Sequence, residues 1–152
     1  MSLTVTKTDV WAAQIEDQPG GLAKLLGALA GAGANLECVV ARRDPSQAGK
    51  GVAFITPVTG ASARNAAKAE GLAPAEKLAT LKVEGNDAPG LGFRITSAIA
   101  EAGVNLRGVS AAVVGRKFVV YLGFDGNADA DKAARALKAL ATTKKSARAK
   151  RV

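Results

Sequence analysis

Residues 17–36 read DQPGGLAKLLGALAGAGANL, and residues 87–106 repeat the pattern as DAPGLGFRITSAIAEAGVNL. Aligned without a gap, the two segments are identical at nine of 20 positions. Chance would supply roughly one or two identities, so the similarity indicates an internal duplication. Corresponding positions lie 70 residues apart. Each copy is therefore long enough to form a small domain.

The two copies begin with the same series of predicted elements. Strand-like runs, VWAAQIE (10–16) and LATLKVE (78–84), lead into Asp-x-Pro-Gly. An amphipathic helix follows in each copy, because apolar residues recur at helical spacing. Proline is expected in the first turn of that helix, where its missing N–H is not needed. Gly33 and Gly103 are expected to end the helices in a left-handed conformation.

The second part of each copy predicts a strand hairpin and another helix. Extended runs at 35–43 and 105–114 are followed by loops and by return strands at 52–58 and 118–124. An alanine-rich helix closes each copy. The order strand, helix, strand, strand, helix predicts an α+β fold class: two ferredoxin-like (βαββαβ) units, each an antiparallel sheet with its helices on one face.

The ferredoxin-like plan requires a fourth strand, and the sequence after the last helix, ATTKKSARAKRV, is not strand-like. LTVTK (3–7), which precedes the first copy, is strand-like. We predict that this N-terminal segment is an edge strand that substitutes for the missing C-terminal one. The predicted domains are residues 8–71, residues 72–142 and a basic disordered tail at residues 143–152.

Charge and composition restrict the function. The net charge of +8 includes five basic residues among the last nine, so the body of the chain is near +3. The tail is interpreted as a solvated end, with contact to an acidic partner as the alternative. The single cysteine, Cys38, cannot form an internal disulfide, and it is either a buried strand residue or a reactive thiol. With no signal peptide or membrane-length apolar stretch, we expect a cytoplasmic protein without a membrane partner.

Catalytic motifs are missing from the sequence. The chain has no histidine, no nucleophile motif and no cluster with metal-ligand spacing. Gly31-Ala32-Gly33 falls at a predicted helix end, whereas a dinucleotide-binding glycine loop lies between a strand and a helix. We therefore expect no enzymatic activity, no cofactor and no metal.

The series strand, Asp-x-Pro-Gly, helix, Gly-x-Asn-Leu, strand resembles the ACT domain, and it occurs twice over residues 10–141. The resemblance implies a stand-alone tandem regulatory protein. Its ligand would be a small amino acid, and its regulated partner an enzyme of amino-acid metabolism, since such domains accompany phosphoglycerate dehydrogenase and aspartate kinase. Serine-binding members carry a histidine where this chain has Ile15 and Gly85, which argues against serine-like recognition.

The resemblance places the ligand at the loop between the first strand and first helix, where two ACT domains meet. Backbone N–H groups at a helix start suit a carboxylate, and a carboxylate or amide oxygen suits the ammonium. The implied ligand-binding residues are Asp17, Gly20, Gly21, Leu22, Asn35, Asp87, Gly90, Leu91, Gly92 and Asn105. The alternatives are that the aspartates cap the helices and that the asparagines shape the helix-to-strand turn. Because copy two has Leu-Gly where copy one has Gly-Leu, the two sites need not be equivalent.

Two further expectations concern partners. RNA-recognition domains share this fold, so a nucleic-acid module that uses the sheet and the basic tail is the alternative function. The strand RKFVVYLGF (116–124) places Phe118 and Phe124 on one face and Tyr121 on the other, so a platform of several rings is missing. Open sheet edges and faces need cover, and for this reason we expect a homodimer.

Overall fold

The computed structural model describes residues 2–149, with side-chain detail through residue 143. Its elements, in chain order, are β1 (Leu3–Thr8), β2 (Trp11–Glu16), α1 (Gly21–Gly31), β3 (Cys38–Arg43), β4 (Lys50–Thr56), α2 (Ala61–Ala69), β5 (Ala73–Pro74), β6 (Ala79–Asn86), α3 (Leu91–Glu101), β7 (Gly108–Val114), β8 (Lys117–Phe124) and α4 (Asn127–Ala149). They form two compact units. We call Asp9–Glu76 the nested unit, and Met1–Thr8 together with Lys77–Val152 the split unit.

The nested unit has a four-stranded sheet in the order β3-β4-β2-β5. Strand β4 pairs antiparallel with both β2 and β3, which makes β2 and β3 parallel, as a strand–helix–strand unit requires. The core consists mainly of small and aliphatic side chains from one face of the sheet and from α1 and α2, including Leu25, Leu29, Ala53, Ile55 and Ala67.

The split unit repeats this plan with the order β1-β6-β8-β7. Its core is larger, and alternate residues of β8 supply much of it: Phe118, Val120, Leu122 and Phe124. Helices α3 and α4 cover that face of the sheet with residues such as Ile95, Ile99, Ala133 and Leu137. The predicted fold class, two ferredoxin-like units, is thus confirmed.

The N-terminal strand completes the sheet of the second copy. Strand β1 pairs antiparallel with β6, with Val5 opposite Val83, and occupies the edge position that a C-terminal strand would hold. Leu3 and Val5 pack against the core of the split unit. Lys7 forms an ion pair with Asp131 of α4 at 2.6 Å. The prediction that residues 3–7 substitute for the missing strand is confirmed.

The nested unit has its own short fourth strand, β5, which the sequence did not reveal. Ala73 pairs with Ala12, and Pro74 with Trp11. The N–H of Ala75 donates to the Val10 carbonyl at 2.8 Å. These bonds hold residues 72–76 to the first copy, although the predicted boundary assigns them to the second domain.

Helix α4 runs further than expected. Its backbone is helical through Ala149, although a disordered tail was predicted from residue 143. The segment contains alanine, the strongest helix former, and a prediction from its basic composition underestimates its helix propensity. The last three residues of the predicted tail lie outside the described residues. Within the described part of the chain, no helix is both long and apolar enough to cross a bilayer.

Both first helices end in the way the sequence predicts. Gly33 and Gly103 have φ values of 78° and 75°. In α1, the N–H of Gly33 donates to Ala30 and that of Ala34 to Leu29, which is the hydrogen-bond pattern of a Schellman motif. Equivalent bonds end α3. The strand that follows each helix, β3 or β7, forms an edge of its sheet.

Candidate functional site

Each Pro-Gly pair forms a type II β-turn before the helix. Gly20 has φ 84° and ψ −5°, and the N–H of Gly21 donates to the Gln18 carbonyl at 3.0 Å. In the second copy, Gly90 has φ 74°, and Leu91 N–H donates to Ala88 at 3.1 Å. A type II turn requires positive φ at its third residue, which glycine adopts without strain, and it favours proline at its second. The sequence thus specifies the turn geometry.

The helices begin at the last residues of these turns, Gly21 and Leu91. Pro19 and Pro89 lie in the turns, so the expectation that proline occupies the first helical turn is corrected. The N-cap residues are Gly20 and Gly90, and neither helix has a side-chain capping bond.

The aspartates that precede the turns therefore do not cap the described helices. The first turn of a helix carries N–H groups without intrahelical partners. After the bonds of residues 21 and 91, the open donors are those of residues 22 and 23 in α1 and of residues 92 and 93 in α3.

The two helix starts differ in how tightly the backbone packs. A Cβ atom on Gly21 would lie 2.2 Å from the Glu16 carbonyl oxygen, so the nested unit requires glycine here. The split unit has Leu91 at the matching position, and that side chain is buried in the core. Its neighbour Gly92 has open space where a Cβ would stand. The predicted difference between the Gly-Leu and Leu-Gly copies therefore has a structural counterpart.

Asp17 is neutralised by an arginine from β3, the edge strand of the nested sheet. Arg43 Nε donates to Asp17 Oδ2 at 2.8 Å, and the Asp17 N–H donates to the Gly49 carbonyl at 3.1 Å. A cavity of about 510 Å³ opens here, lined by Asp17 and by residues 42–45 and 47–50. Arg42, Arg43 and Lys50 contribute to its wall, so three cationic side chains border this cavity.

Asp44, in the same wall, is fixed by its own loop. The Ser46 hydroxyl and the Ser46 N–H both donate to Asp44 Oδ1, at 2.6 and 2.9 Å. The hydroxyl bond is the main reason that the pKa of Asp44 is lowered, and the N–H bond adds to it. Asp44 therefore remains a carboxylate that shapes the hairpin beside Arg42 and Arg43.

Asp87 has different surroundings. Its N–H donates to the Arg116 carbonyl at 2.9 Å, but its carboxylate forms no ion pair with any described residue. It lies at one end of an apolar cavity of about 530 Å³ in the split unit. The walls are the turn at residues 87–92, helix α3 at Ile95 and Thr96, and strands β7 and β8. This volume falls within the range of small-molecule sites.

The structure brings together only some of the proposed ligand-binding residues. Asp87, Gly90, Leu91 and Gly92 line the cavity of the split unit. In the nested unit, Asp17 lines a cavity, but Gly20, Gly21 and Leu22 are not part of that wall.

Asn35 and Asn105 follow the far ends of α1 and α3 and are exposed. An 11-residue helix is about 16 Å long, so each asparagine lies far from the turn of its own copy.

Two arginines near the sites were not predicted. Arg43 holds Asp17, as described above. Arg94, in the first turn of α3, folds back toward the turn, and its Nη1 donates to the Pro89 carbonyl at 3.3 Å. Its Nε is buried without a hydrogen-bond partner. The repeat alignment held a signal for this residue, since copy one has a cation, Lys24, at the equivalent position.

Strand β7 exposes apolar residues along the sheet edge of the split unit. All seven of its residues are exposed, and Val109, Val113 and Val114 are 53%, 53% and 74% exposed. The register places Val109 and Val113 on the same face as the buried Leu122 and Phe118 of β8. Helices α3 and α4 thus leave the cavity side of β7 uncovered.

The aromatic side chains of β8 lie mainly in the core. Phe118 and Phe124 are buried, and Tyr121 is half-buried on the opposite face. The described sheet therefore does not present these phenylalanine rings for base stacking. No group of three or more potential metal ligands occurs among the described residues.

Comparison with known proteins identifies the family. The ACT domain family model matches residues 78–150, which make up most of the split unit. The second copy of this chain is an ACT domain. The nested unit has the same strand–helix–strand–strand–helix series, from β2 to α2, as the matched residues. A search of curated protein sequences gave no significant match.

Solved structures share the fold of this ACT-domain protein. The regulatory subunit of aspartate kinase from Thermus thermophilus, in its ligand-free form, aligns with a TM-score of 0.64 and 19% identity, covering 91% of this chain and 95% of that one. Protein BT0572 from Bacteroides thetaiotaomicron aligns with a TM-score of 0.71 and 17% identity, covering 88% of both chains. Aspartokinase III from E. coli, in complex with lysine and aspartate, aligns with a TM-score of 0.56 and 12% identity, covering 92% of this chain and 33% of that one.

Proposed function

We propose that this ACT-domain protein is a non-catalytic regulator that binds a small amino acid at interfaces between ACT domains. The observation that carries the proposal is the paired helix start. Both copies present an uncapped helix N-terminus behind a Pro-Gly turn, with an aspartate three residues before the N-cap glycine. A zwitterion needs these two kinds of partner close together.

The ligand carboxylate is assigned to the helix starts. The open N–H groups of residues 22 and 23, or 92 and 93, point along the helix axis, where the helix dipole favours negative charge. Arg94 adds a cation at the start of α3, with a buried Nε that has no hydrogen-bond partner. The ammonium is assigned to Asp17 or Asp87. In the nested unit, the ammonium would compete with Arg43 for Asp17.

The asparagines explain why we place the site at an interface. Asn35 and Asn105 lie at the opposite ends of their own helices, so neither reaches the turn of its own copy. A second copy of the chain would supply such an amide to the ligand. Ligand binding would then favour association of the two copies, which is a mechanism for regulation. An enzyme of amino-acid metabolism is the partner that we propose for this signal.

Strand β7 supports the homodimer. An exposed apolar edge strand offers unpaired backbone groups to a second sheet. Size-exclusion chromatography with light scattering tests this directly. We expect a dimer that Val114→Lys weakens. Thr4→Lys, on the opposite edge of the same sheet, is the control and should leave the dimer intact. A monomeric wild-type chain would contradict the dimer.

A thermal-shift screen of the twenty amino acids tests the binding function. A ligand at 100 times its Kd stabilises the folded state by about 2.7 kcal/mol. Lysine and aspartate belong in the first set, because the E. coli aspartokinase III structure contains both. We expect a hit that Asp17→Asn or Asp87→Asn weakens at least tenfold. If no amino acid shifts the transition while oligonucleotides bind with steep salt dependence, the nucleic-acid alternative replaces this proposal.

A further inference from the structure

We infer that the cavity of the split unit selects an apolar amino acid, of the leucine, isoleucine, valine or phenylalanine class, over lysine, threonine or aspartate. This inference rests on the proposed amino-acid site. Two observations support it. One is the lining of the cavity in the split unit, and the other is the set of different residues at the aligned positions of the nested unit.

The lining offers a side chain almost no polar partner. Five of its residues belong to the buried core of the split unit: Leu91, Ile95, Phe118, Val120 and Leu122. The exposed side chains of Val109 and Val113 extend the same surface along β7. A ligand with an aliphatic or aromatic side chain would bury that side chain against carbon atoms, which is favourable in proportion to the area buried.

Neither of the two polar side chains in the lining is left to bind the side chain of the ligand. Thr96 Oγ1 donates within its helix, to the Gly92 carbonyl at 3.0 Å or the Phe93 carbonyl at 3.2 Å. Asp87 is the one charged residue in the lining, and the proposed function assigns it to the ligand ammonium. A second charge on the ligand, such as the ammonium of lysine or the distal carboxylate of aspartate, would lose its hydration without gaining a partner.

The other copy shows which substitutions create this apolar cavity. The repeat aligns Val113 with Arg43, and Asp87 with Asp17. In the nested unit, Arg43 donates to Asp17 at 2.8 Å and places a cation in the wall. In the split unit, valine removes that cation. The same exchange leaves Asp87 without an ion pair to a described residue, so its carboxylate is available to an ammonium group.

A second substitution creates room. The repeat aligns Gly92 with Leu22, which packs against the core of the nested unit. Gly92 lines the cavity, and a Cβ there would meet no atom within 4 Å. The Gly92 position thus leaves space beside the helix start. The side chain of the ligand would extend into this space from the Cα atom that carries its carboxylate and ammonium groups.

Calorimetric titration of the full chain tests this selectivity, with leucine, isoleucine, valine and phenylalanine compared to lysine, threonine and aspartate. We expect the tightest apolar ligand to bind at least tenfold more tightly than any of the three polar ones. Gly92→Leu, which copies Leu22, should weaken it at least tenfold. Val113→Arg, which copies Arg43, should do the same by engaging Asp87. Gly31→Ala in α1 of the nested unit is the control and should leave the affinity unchanged, because a Cβ there also meets no atom within 4 Å.

The outcomes separate this inference from the proposed function. If lysine, threonine or aspartate binds tightest and Asp87→Asn abolishes that binding, the amino-acid site stands and the inferred selectivity is wrong. If an apolar amino acid binds but neither Gly92→Leu nor Val113→Arg weakens it, the ligand lies elsewhere and the inference also fails. If none of the seven amino acids binds, the inference is overturned, whereas the proposed function falls only if none of the twenty amino acids shifts the thermal transition.

Discussion

Arg43 donates from Nε to Asp17 Oδ2 at 2.8 Å, which ties the end of β3 to the turn that precedes α1. The split unit has the same turn and the same strand but carries Val113 and Asp87 at the matching positions. The turn therefore forms with or without the ion pair. We conclude that the Arg43–Asp17 pair mainly changes the charge and the hydrogen-bonding groups of the nested site, and that it contributes little to the stability of the fold.

The first prediction concerns this pair. Arg43→Val should lower the free energy of unfolding by less than about 1 kcal/mol, because the Arg43 side chain is 84% exposed and exposed pairs contribute little. Urea unfolding of the variant and the wild type measures the difference. A loss well above that value would show that the pair stabilises the turn itself.

Gly21 gives the second prediction. Gly21→Ala should destabilise the nested unit by about 1–3 kcal/mol, because the new methyl group would lie 2.2 Å from a backbone oxygen that has no rotamer to adopt. Gly92→Ala, at the start of the other first helix, is the matched control. It should be neutral or should stabilise by up to about 1 kcal/mol, since alanine is the better helix former and its Cβ meets open space. Equal effects of the two variants in thermal unfolding would contradict this account.

The third prediction follows from the strand exchange. Removal of residues 1–8 should destabilise the split unit and leave the nested unit nearly unchanged, because β1 pairs with β6 and buries Leu3 and Val5 in that core. Amide hydrogen exchange reports on both units in one experiment. Exchange should accelerate in β6 and remain slow in β4. Val5→Asp in the full-length chain should reproduce the pattern, and faster exchange in β4 alone would refute it.

The fourth prediction is a pH dependence. The hydrogen bond from the Lys7 side chain holds the pKa of Asp131 below its ordinary value of 3.8, and the charges of Lys7 and Arg135 lower it further. As the pH falls, Asp131 is therefore protonated at a higher pH in the unfolded chain than in the folded protein. The stabilising contribution is therefore complete well above pH 3.8 and is lost below it, as the pH passes through the folded-state pKa.

Comparison of the wild type with Asp131→Asn measures this effect. The wild type should be more stable at pH 6, and the difference in the free energy of unfolding should shrink as the pH falls below 3.8. A difference that stays constant over this range would mean that the carboxylate does not act through its charge.

Much of the fold could be predicted because the duplication presents each signal twice. Pro-Gly at 19–20 and at 89–90 marked both turns, and glycine at 33 and 103 marked both helix ends. The period-two pattern of β8 identified the buried face of that strand. The N-terminal strand was predicted because the fold needs a fourth strand in each unit and the sequence after the last helix offers none. That need is a property of the whole fold and cannot be read from the N-terminal segment alone.

What could not be predicted depends on contacts between distant segments. Ala73 and Pro74 are too few to show a strand pattern in the sequence. They form a strand only because they pair with β2. The asparagines matched a family motif, but the length of a helix separates each from the turn it was grouped with. Arg43 and Arg94 approach the turns through side-chain conformations that composition and spacing do not specify.

The strand exchange also has a consequence for biosynthesis. Strand β1 leaves the ribosome before the nested unit, but its partner β6 starts at residue 79, after the entire nested unit. The continuous segment Asp9–Glu76 has all of its own strands and can fold while translation continues. The nascent chain must therefore keep Leu3 and Val5 unpaired for about 70 residues of synthesis, and the sheet that β1 closes is completed after the sheet of the nested unit.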